Sequence, residues 1–203
     1  MKMNQLKEIT TSLLAGGLAA AAPQFALAEQ VSTTGVGTLS APAHLDMQIV
    51  IPKFLLFRVG TVGATIDQIT FSPTVASLGS SAPVAGTGGD AAGTGSNVAV
   101  LSNAGQVTIT PTNNSGGAGM GTGIVADGFI DYNQITSTPT LPALPAPVLS
   151  NTGGTSALPT LTGKVTNLTG IWNFAYANTT IPSAGIYGGN ANGGRITYTA
   201  TTP

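Results

Sequence analysis

The residues of this sequence that could do chemistry are few and scattered. His44 is the only histidine, and Asp46 follows two positions later. On a strand these two side chains would share one face, which is half of a metal site. Because a single histidine cannot supply a histidine-rich site, we interpret His44 as a surface residue beside a strand and predict no bound metal.

The acidic residues do not form a catalytic or calcium-binding pattern. Asp127 and Asp131 are close in sequence, but the spacing of a calcium loop is missing. A Ser-His-Asp triad would have to use His44, and no G-x-S-x-G elbow is present. The glycine run at residues 86–89 lacks the lysine of a phosphate loop. We therefore predict that the protein is not an enzyme and has no cofactor.

The composition is that of a folded, weakly charged β-protein. Charged residues are 6% of 203, with 28 glycines, 13 prolines and no cysteine, and the mean hydropathy is +0.30. Disordered chains combine low hydrophobicity with high net charge, so disorder is not expected. No basic stripe or polybasic patch is present, which argues against nucleic acid or an anionic membrane as a partner.

The first 28 residues have the pattern of a signal peptide. Lys2 and Lys7 precede a short apolar run at residues 13–22, and Ala26-Leu27-Ala28 resembles a cleavage site. The run is shorter than the about 20 apolar residues of a membrane-spanning helix. We predict secretion, with no membrane span in the mature chain.

Two strand-like runs follow a Ser/Thr/Gly-rich arm at residues 29–44. Residues 45–51 alternate apolar and polar side chains, the period of a strand with one buried face. Residues 54–59 are nearly all apolar, which predicts a strand covered on both faces. Pro52 separates the two runs and cannot donate to a ladder. Residues 45–203 are predicted to form one β-domain that includes the run 45–51.

The rest of the chain reads as short strands between turns. The sequence predicts that residues 97–101 and 106–112 form a hairpin-like pair around Asn103-Ala104-Gly105. The five prolines of residues 136–162 predict a surface segment of polyproline type. Further strands are predicted at 65–72, 124–135, 163–168, 170–177 and 195–201. About eight strands and no amphipathic helix predict an all-β fold, an Ig-like or Greek-key β-sandwich.

Aromatic residues at residues 170–177 fall on one face of their predicted strand. Trp172, Phe174 and Tyr176 alternate with smaller or polar residues. Such a face could stack on a carbohydrate, but on a strand of this kind a core position is favoured. We predict that all three side chains are buried.

Three motifs in their order resemble a bacterial fimbrial major subunit (pilin) of the cysteine-free CS1/CFA-I type. They are LDMQIVIP running into FLLFRVG and ITFSP, a middle section of Thr-rich strands, and PSAGIYGG followed by GGRITYTATTP. The resemblance implies an incomplete Ig-like sandwich that is completed by a donor strand from the N-terminal segment of a neighbouring subunit. Its donor side chains would be Leu45, Met47, Ile49 and Ile51.

The resemblance also implies partners and a location. Identical subunits would join head to tail into a surface filament (a fimbria) for adhesion or biofilm formation, with a periplasmic chaperone and an outer-membrane usher as further partners. The arm is longer than such a pilin needs, so a donor strand within residues 31–39 is the alternative to 45–51. The alternative function is a monomeric or surface-attached binding module that recognises a glycan or a protein through its long loops.

Overall fold

The computed structural model describes residues 31–203 except 92 and 94, and the chain divides after Val50. The predicted signal peptide at 1–28 lies outside the described residues. Residues 31–50 contain no helix or strand, and their side chains are exposed. Among the described residues, the strands and the hydrophobic core all lie within 51–203.

The fold is all-β, as predicted. Two short 3₁₀ helices, Val125–Asp127 and Tyr132–Gln134, are the helical elements of the described residues. No helix in the described part of the chain is long and apolar enough to cross a membrane. The strands are β1 (Leu55–Val59), β2 (Ile69–Thr70), β3 (Val84–Ala85), β4 (Thr87–Gly88), β5 (Gly95–Ser102), β6 (Thr108–Asn113), β7 (Ile135–Pro139), β8 (Val148–Ser150), β9 (Gly153–Thr155), β10 (Thr166–Tyr176) and β11 (Ile196–Thr201).

The largest sheet is antiparallel and is built around β10. Its order is β1-β5-β10-β3, and β7 also pairs with β10. The two runs predicted at 163–168 and 170–177 are therefore one continuous strand. Trp172, Phe174 and Tyr176 are buried in the core, which confirms the prediction for the aromatic face.

A second sheet pairs β6 with β11, and this corrects the predicted hairpin. β5 and β6 are consecutive, but β5 pairs with β1 and β10, whereas β6 pairs with β11. The turn between them carries the chain from one sheet to the other, and Val98, Val100 and Ile109 meet in one core. On β6 and β11 three pairs of threonines lie directly opposite each other: Thr108–Thr201, Thr110–Thr199 and Thr112–Thr197.

Two further predictions were wrong. Residues 124–134, predicted as part of a strand, form the two 3₁₀ helices, with Gly128 between them at φ +78°. A side chain is rarely found at such a φ, so the glycine permits a turn where the apolar residues predict extension. The Pro-rich segment also does not simply run over the surface, since β7 pairs with β10 and both Leu144 and Leu149 are buried.

The segment around Pro52 also differs from expectation. In the single chain residues 45–51 form no strand. β1 was predicted to be covered on both faces, but it lies at the edge of its sheet, and Leu55 and Leu56 are exposed. A continuous apolar run therefore marks an edge strand here, not a central one.

Candidate functional site: the open edges of β1 and β11

The outer edge of β1 has unpaired backbone groups. β1 pairs only with β5 in the described part of the chain. The N–H of Gly60 donates to the carbonyl of Asn97 (2.8 Å), and both backbone groups of Phe54 are engaged on the same side. In an antiparallel strand the bonding direction alternates with each residue. The N–H and C=O groups that point to the free edge therefore belong to Leu55, Phe57 and Val59.

The outer edge of β11 is open in the same way. Within the described residues β11 pairs only with β6. Arg195 exchanges two hydrogen bonds with Asn114, through its N–H (2.9 Å) and its carbonyl (3.2 Å). By the same alternation, residues 195, 197, 199 and 201 face β6. The backbone groups of Ile196, Tyr198 and Ala200 point away from it, to the free edge.

The side chains of these edge residues cover the core incompletely. Phe57, Val59, Ile196, Tyr198 and Ala200 pack against the core but are only partly buried. The core residues Val98, Val100 and Trp172, by contrast, are 0–1% exposed. Apolar side chains thus lie partly in water along both open edges, and covering them would be favourable.

The two edges are near each other. Some Cα atoms of β1 and β11 come within 8 Å of one another. Just outside the two strands, the Nζ of Lys53 donates to the carbonyl of Pro203 at 3.5 Å. The open edges and their partly buried side chains therefore bound one region, which we call the edge groove.

The side chain of Asn103 clamps the backbone that leads into β1. Its Oδ1 accepts from the N–H of Phe54 (2.9 Å), and its Nδ2 donates to the carbonyl of Pro52 (2.8 Å). The hydroxyl of Ser102 donates to the carbonyl of Phe54 at 3.0 Å. The side-chain amide of Asn103 thus bonds the backbone of residues 52–54 as a neighbouring strand would. It holds this segment at the end of β5.

The predicted donor residues are exposed. Leu45, Met47, Ile49 and Ile51 have 74–87% of their surface in contact with solvent. Exposed apolar residues are common singly, whereas four in alternation have the period of a strand with one apolar face. The alternative donor at residues 31–39 is also exposed and includes Val36 and Leu39.

The backbone at Pro52 and Lys53 does not allow a tight hairpin. Two-residue hairpin loops of the favoured types need a positive φ at their first central residue. Proline fixes φ near −65°, and the non-glycine residues with positive φ in the described part of the chain are Ser81 and Asn178. Pro52 and Lys53 therefore do not form a two-residue hairpin loop of the favoured types.

Two of the acidic side chains that were considered for catalysis or metal binding make hydrogen bonds within the fold. The Oδ2 of Asp127 accepts from the hydroxyl of Thr122, and the Oδ1 of Asp131 accepts from the amide of Asn151, both at 2.6 Å. Among the described residues no group of three His, Cys, Asp or Glu side chains could hold a metal ion. The Gly86–Gly89 run follows β3 directly and contains β4.

Burial perturbs two tyrosines near the groove. Desolvation raises the pKa of Tyr132 from 10.0 to about 12, and its hydroxyl donates to the carbonyl of Gly193 at 2.6 Å. The pKa of Tyr198 is also raised, by burial first and by its proximity to Tyr132 second. Both side chains stay neutral well above neutral pH.

The sequence predicts a donor segment, a prediction that stays open, and it does not reveal the edge groove. The alternation of RITYTAT predicts a strand, but it does not show that one edge of that strand lacks a partner. The Asn103 clamp was missed as well, because the sequence around it reads only as a turn.

No protein-family model, curated protein or solved structure matches this chain.

Proposed function

We propose that this protein is a secreted structural subunit that polymerises head to tail by strand addition into a surface filament. The filament would serve adhesion or biofilm formation, as in fimbriae. The observation that carries the proposal is the edge groove, where two neighbouring strands have open edges and partly buried apolar side chains. Edge strands are usually protected, because open ones invite pairing with another chain.

The proposed occupant of the groove is residues 45–51 of another subunit. In β-strand addition the backbone ladder supplies affinity and alternate side chains supply register. Leu45, Met47, Ile49 and Ile51 alternate as such a strand requires, and they are exposed in the single chain. The added strand would complete an Ig-like sandwich.

Donation to a neighbour is favoured over donation within the chain. Residues 45–51 directly precede β1, and Pro52 and Lys53 do not allow the two-residue turn that would bring them back along its edge. Donor segment and groove are different surfaces of the same molecule, so the contact is heterologous. Unless the rotation closes a ring, such contacts propagate an open filament.

Insertion between the two edges requires them to separate. Neighbouring strands lie about 4.8 Å apart, so two strands that flank a third are about 9.6 Å apart. Some Cα atoms of β1 and β11 are closer than 8 Å. The proposal therefore includes a widening of the groove where these atoms meet.

Secretion and assembly factors belong to the same proposal. The predicted signal peptide at 1–28 supports export. Between export and assembly, an open groove would be prone to non-specific pairing. A periplasmic chaperone that covers the groove, and an usher that receives the subunit, would meet this need.

The test is negative-stain electron microscopy of sheared cell-surface material, with boiled and unboiled gel lanes. Thin fibres and a detergent-resistant ladder that collapses on boiling are expected. Met47→Asp or Ile49→Asp should abolish both while secretion continues, because a carboxylate would be buried in the groove. Gln48→Asp adds the same charge at a position of opposite alternation and should retain the ladder.

Two other outcomes would change the proposal. Intact filaments in both Asp variants, with loss in Val36→Asp, would move the donor to residues 31–39. A single band at the monomer mass without fibres would refute polymerisation and favour the monomeric binding module.

A further inference from the structure

A cavity of about 250 Å³ lies between the loop that follows β6 and the segment that precedes β11. All the residues that line it are uncharged, and they include Asn192, Phe129 and several glycines. Pockets for drug-sized molecules measure about 300–1,000 Å³, so this one suits a single small ring.

Asn192 presents an unpaired amide to this cavity. Its backbone is fixed, because its carbonyl accepts from the N–H of Gly121 (2.9 Å) and its N–H donates to Gly189 (3.3 Å). Its side chain makes no hydrogen bond to any described residue. The amide of Asn114, also in the lining, is by contrast engaged with the backbone of Arg195 and Asn190. Asn192 therefore offers two donors and one acceptor to a ligand.

Phe129 adds an aromatic surface at the same cavity. Its side chain is 47% exposed. The ring lies against the backbone of Gly121, where a Cβ atom would be 2.9 Å from its Cε1. At Gly123 a Cβ atom would be 3.2 Å from the Oδ1 of Asn192. The glycines thus leave room for the ring of Phe129 and for the side chain of Asn192.

We propose that this cavity binds a neutral sugar of the hexose type. Asn192 hydrogen-bonds ring hydroxyl groups, and Phe129 packs against the apolar C–H face of the ring. An anionic ligand would call for Arg or Lys, which the lining lacks. A purely apolar ligand would bury the Asn192 amide without hydrogen-bond partners, which is unfavourable. The site is independent of strand addition, since it uses neither open edge.

The test is saturation-transfer difference NMR on the full secreted protein, a method that works for monomers and assemblies alike. The probes are the methyl glycosides of glucose, galactose and N-acetylglucosamine, with N-acetylneuraminic acid as the charged comparison. We expect at least one neutral glycoside to bind saturably, with the strongest transfer to its C–H protons and weaker binding of the charged sugar.

Variants assign the binding to the cavity. Asn192→Ala and Phe129→Leu should each weaken binding by about tenfold or more. Asn167→Ala removes an exposed asparagine on β10 that lies outside the cavity and should change nothing. If Phe129→Leu fails to fold, the partly exposed Asn192 still decides the question. No saturable transfer from any neutral glycoside, unchanged affinity in Asn192→Ala, or equal binding of the charged sugar would overturn the proposal.

Discussion

Replacing Ile49 should affect an isolated subunit and the junction between two subunits differently, where the junction is the proposed contact between residues 45–51 of one subunit and the edge groove of the next. In the single chain Ile49 is 87% exposed, so Ile49→Ala should change the free energy of unfolding of an isolated subunit by no more than about 0.5 kcal/mol. In a neighbour's groove the same side chain would be buried. Truncation of a buried isoleucine to alanine costs about 2–5 kcal/mol. That range corresponds to about 30-fold to several thousand-fold in the dissociation constant of each junction.

A graded series makes the comparison quantitative. Ile49→Val should cost a junction about 0.5–1.5 kcal/mol, and Gln48→Ala should cost it little, because Gln48 would point away from the groove in the proposed junction. Denaturant unfolding of dissociated subunits measures the free energy of unfolding of the subunit. The guanidinium concentration or temperature at which the unboiled ladder collapses measures the stability of the junction. A ladder of Ile49→Ala that is as resistant as wild type, or an equal loss in the isolated subunit, would refute burial of Ile49 in the junction.

Three further predictions concern the subunit itself. Trp172→Phe should lower the free energy of unfolding by about 2–4 kcal/mol in urea titrations followed by circular dichroism, because the buried Leu144 carbonyl loses the indole N–H that donates to it at 3.1 Å. Asn103→Ala should lower the free energy of unfolding by only about 1–2 kcal/mol, because the backbone groups of Phe54 and Pro52 are exposed and water can replace the lost amide. No loss in guanidinium titrations would argue against the clamp. The raised pKa of Tyr132 gives stability that is complete below pH 10 and is lost as the pH rises from 10 to about 12. Across this range the melting temperature of wild type should fall more steeply with pH than that of Tyr132→Phe. An identical fall in both proteins would contradict desolvation of the phenol.

The parts of the fold that the sequence predicts are those with a local alternating pattern. Trp172, Phe174 and Tyr176 alternate with smaller residues and lie in the core, and the strand around Tyr198 is where the alternation of RITYTAT places it. These patterns report which face of a strand is apolar, and burial follows directly from that. They carry no information about which strand lies alongside.

The errors come from this missing long-range information. A three-residue turn after β5 predicts a hairpin, but two strands that each have one apolar face can also pack across a core. Here β5 has β1 and β10 as its partners on both edges, so β6 lies in the other sheet. The apolar run of β1 predicts two covered faces, whereas Leu55 and Leu56 are exposed and the strand lies at the edge of its sheet. The Pro-rich segment contributes Leu144 to the core, and its carbonyl accepts from the indole N–H of Trp172, which lies 28 residues further along the chain, so a local pattern does not reveal the contact.

The chemical character of the edge groove has a consequence for the environments in which a filament could last. Its open edges are formed by Leu55, Phe57, Val59, Ile196, Tyr198 and Ala200, and the donor side chains are equally uncharged. Tyrosine is the one ionisable type among them, and burial delays its ionisation to strongly alkaline pH. The apolar side chains that such a junction would bury bring no carboxylate for acid to protonate and no ion pair for salt to screen, because Asp46 lies at a position of opposite alternation in the donor segment. Filaments joined in this way would keep their strength from acidic to mildly alkaline media and from fresh to saline water.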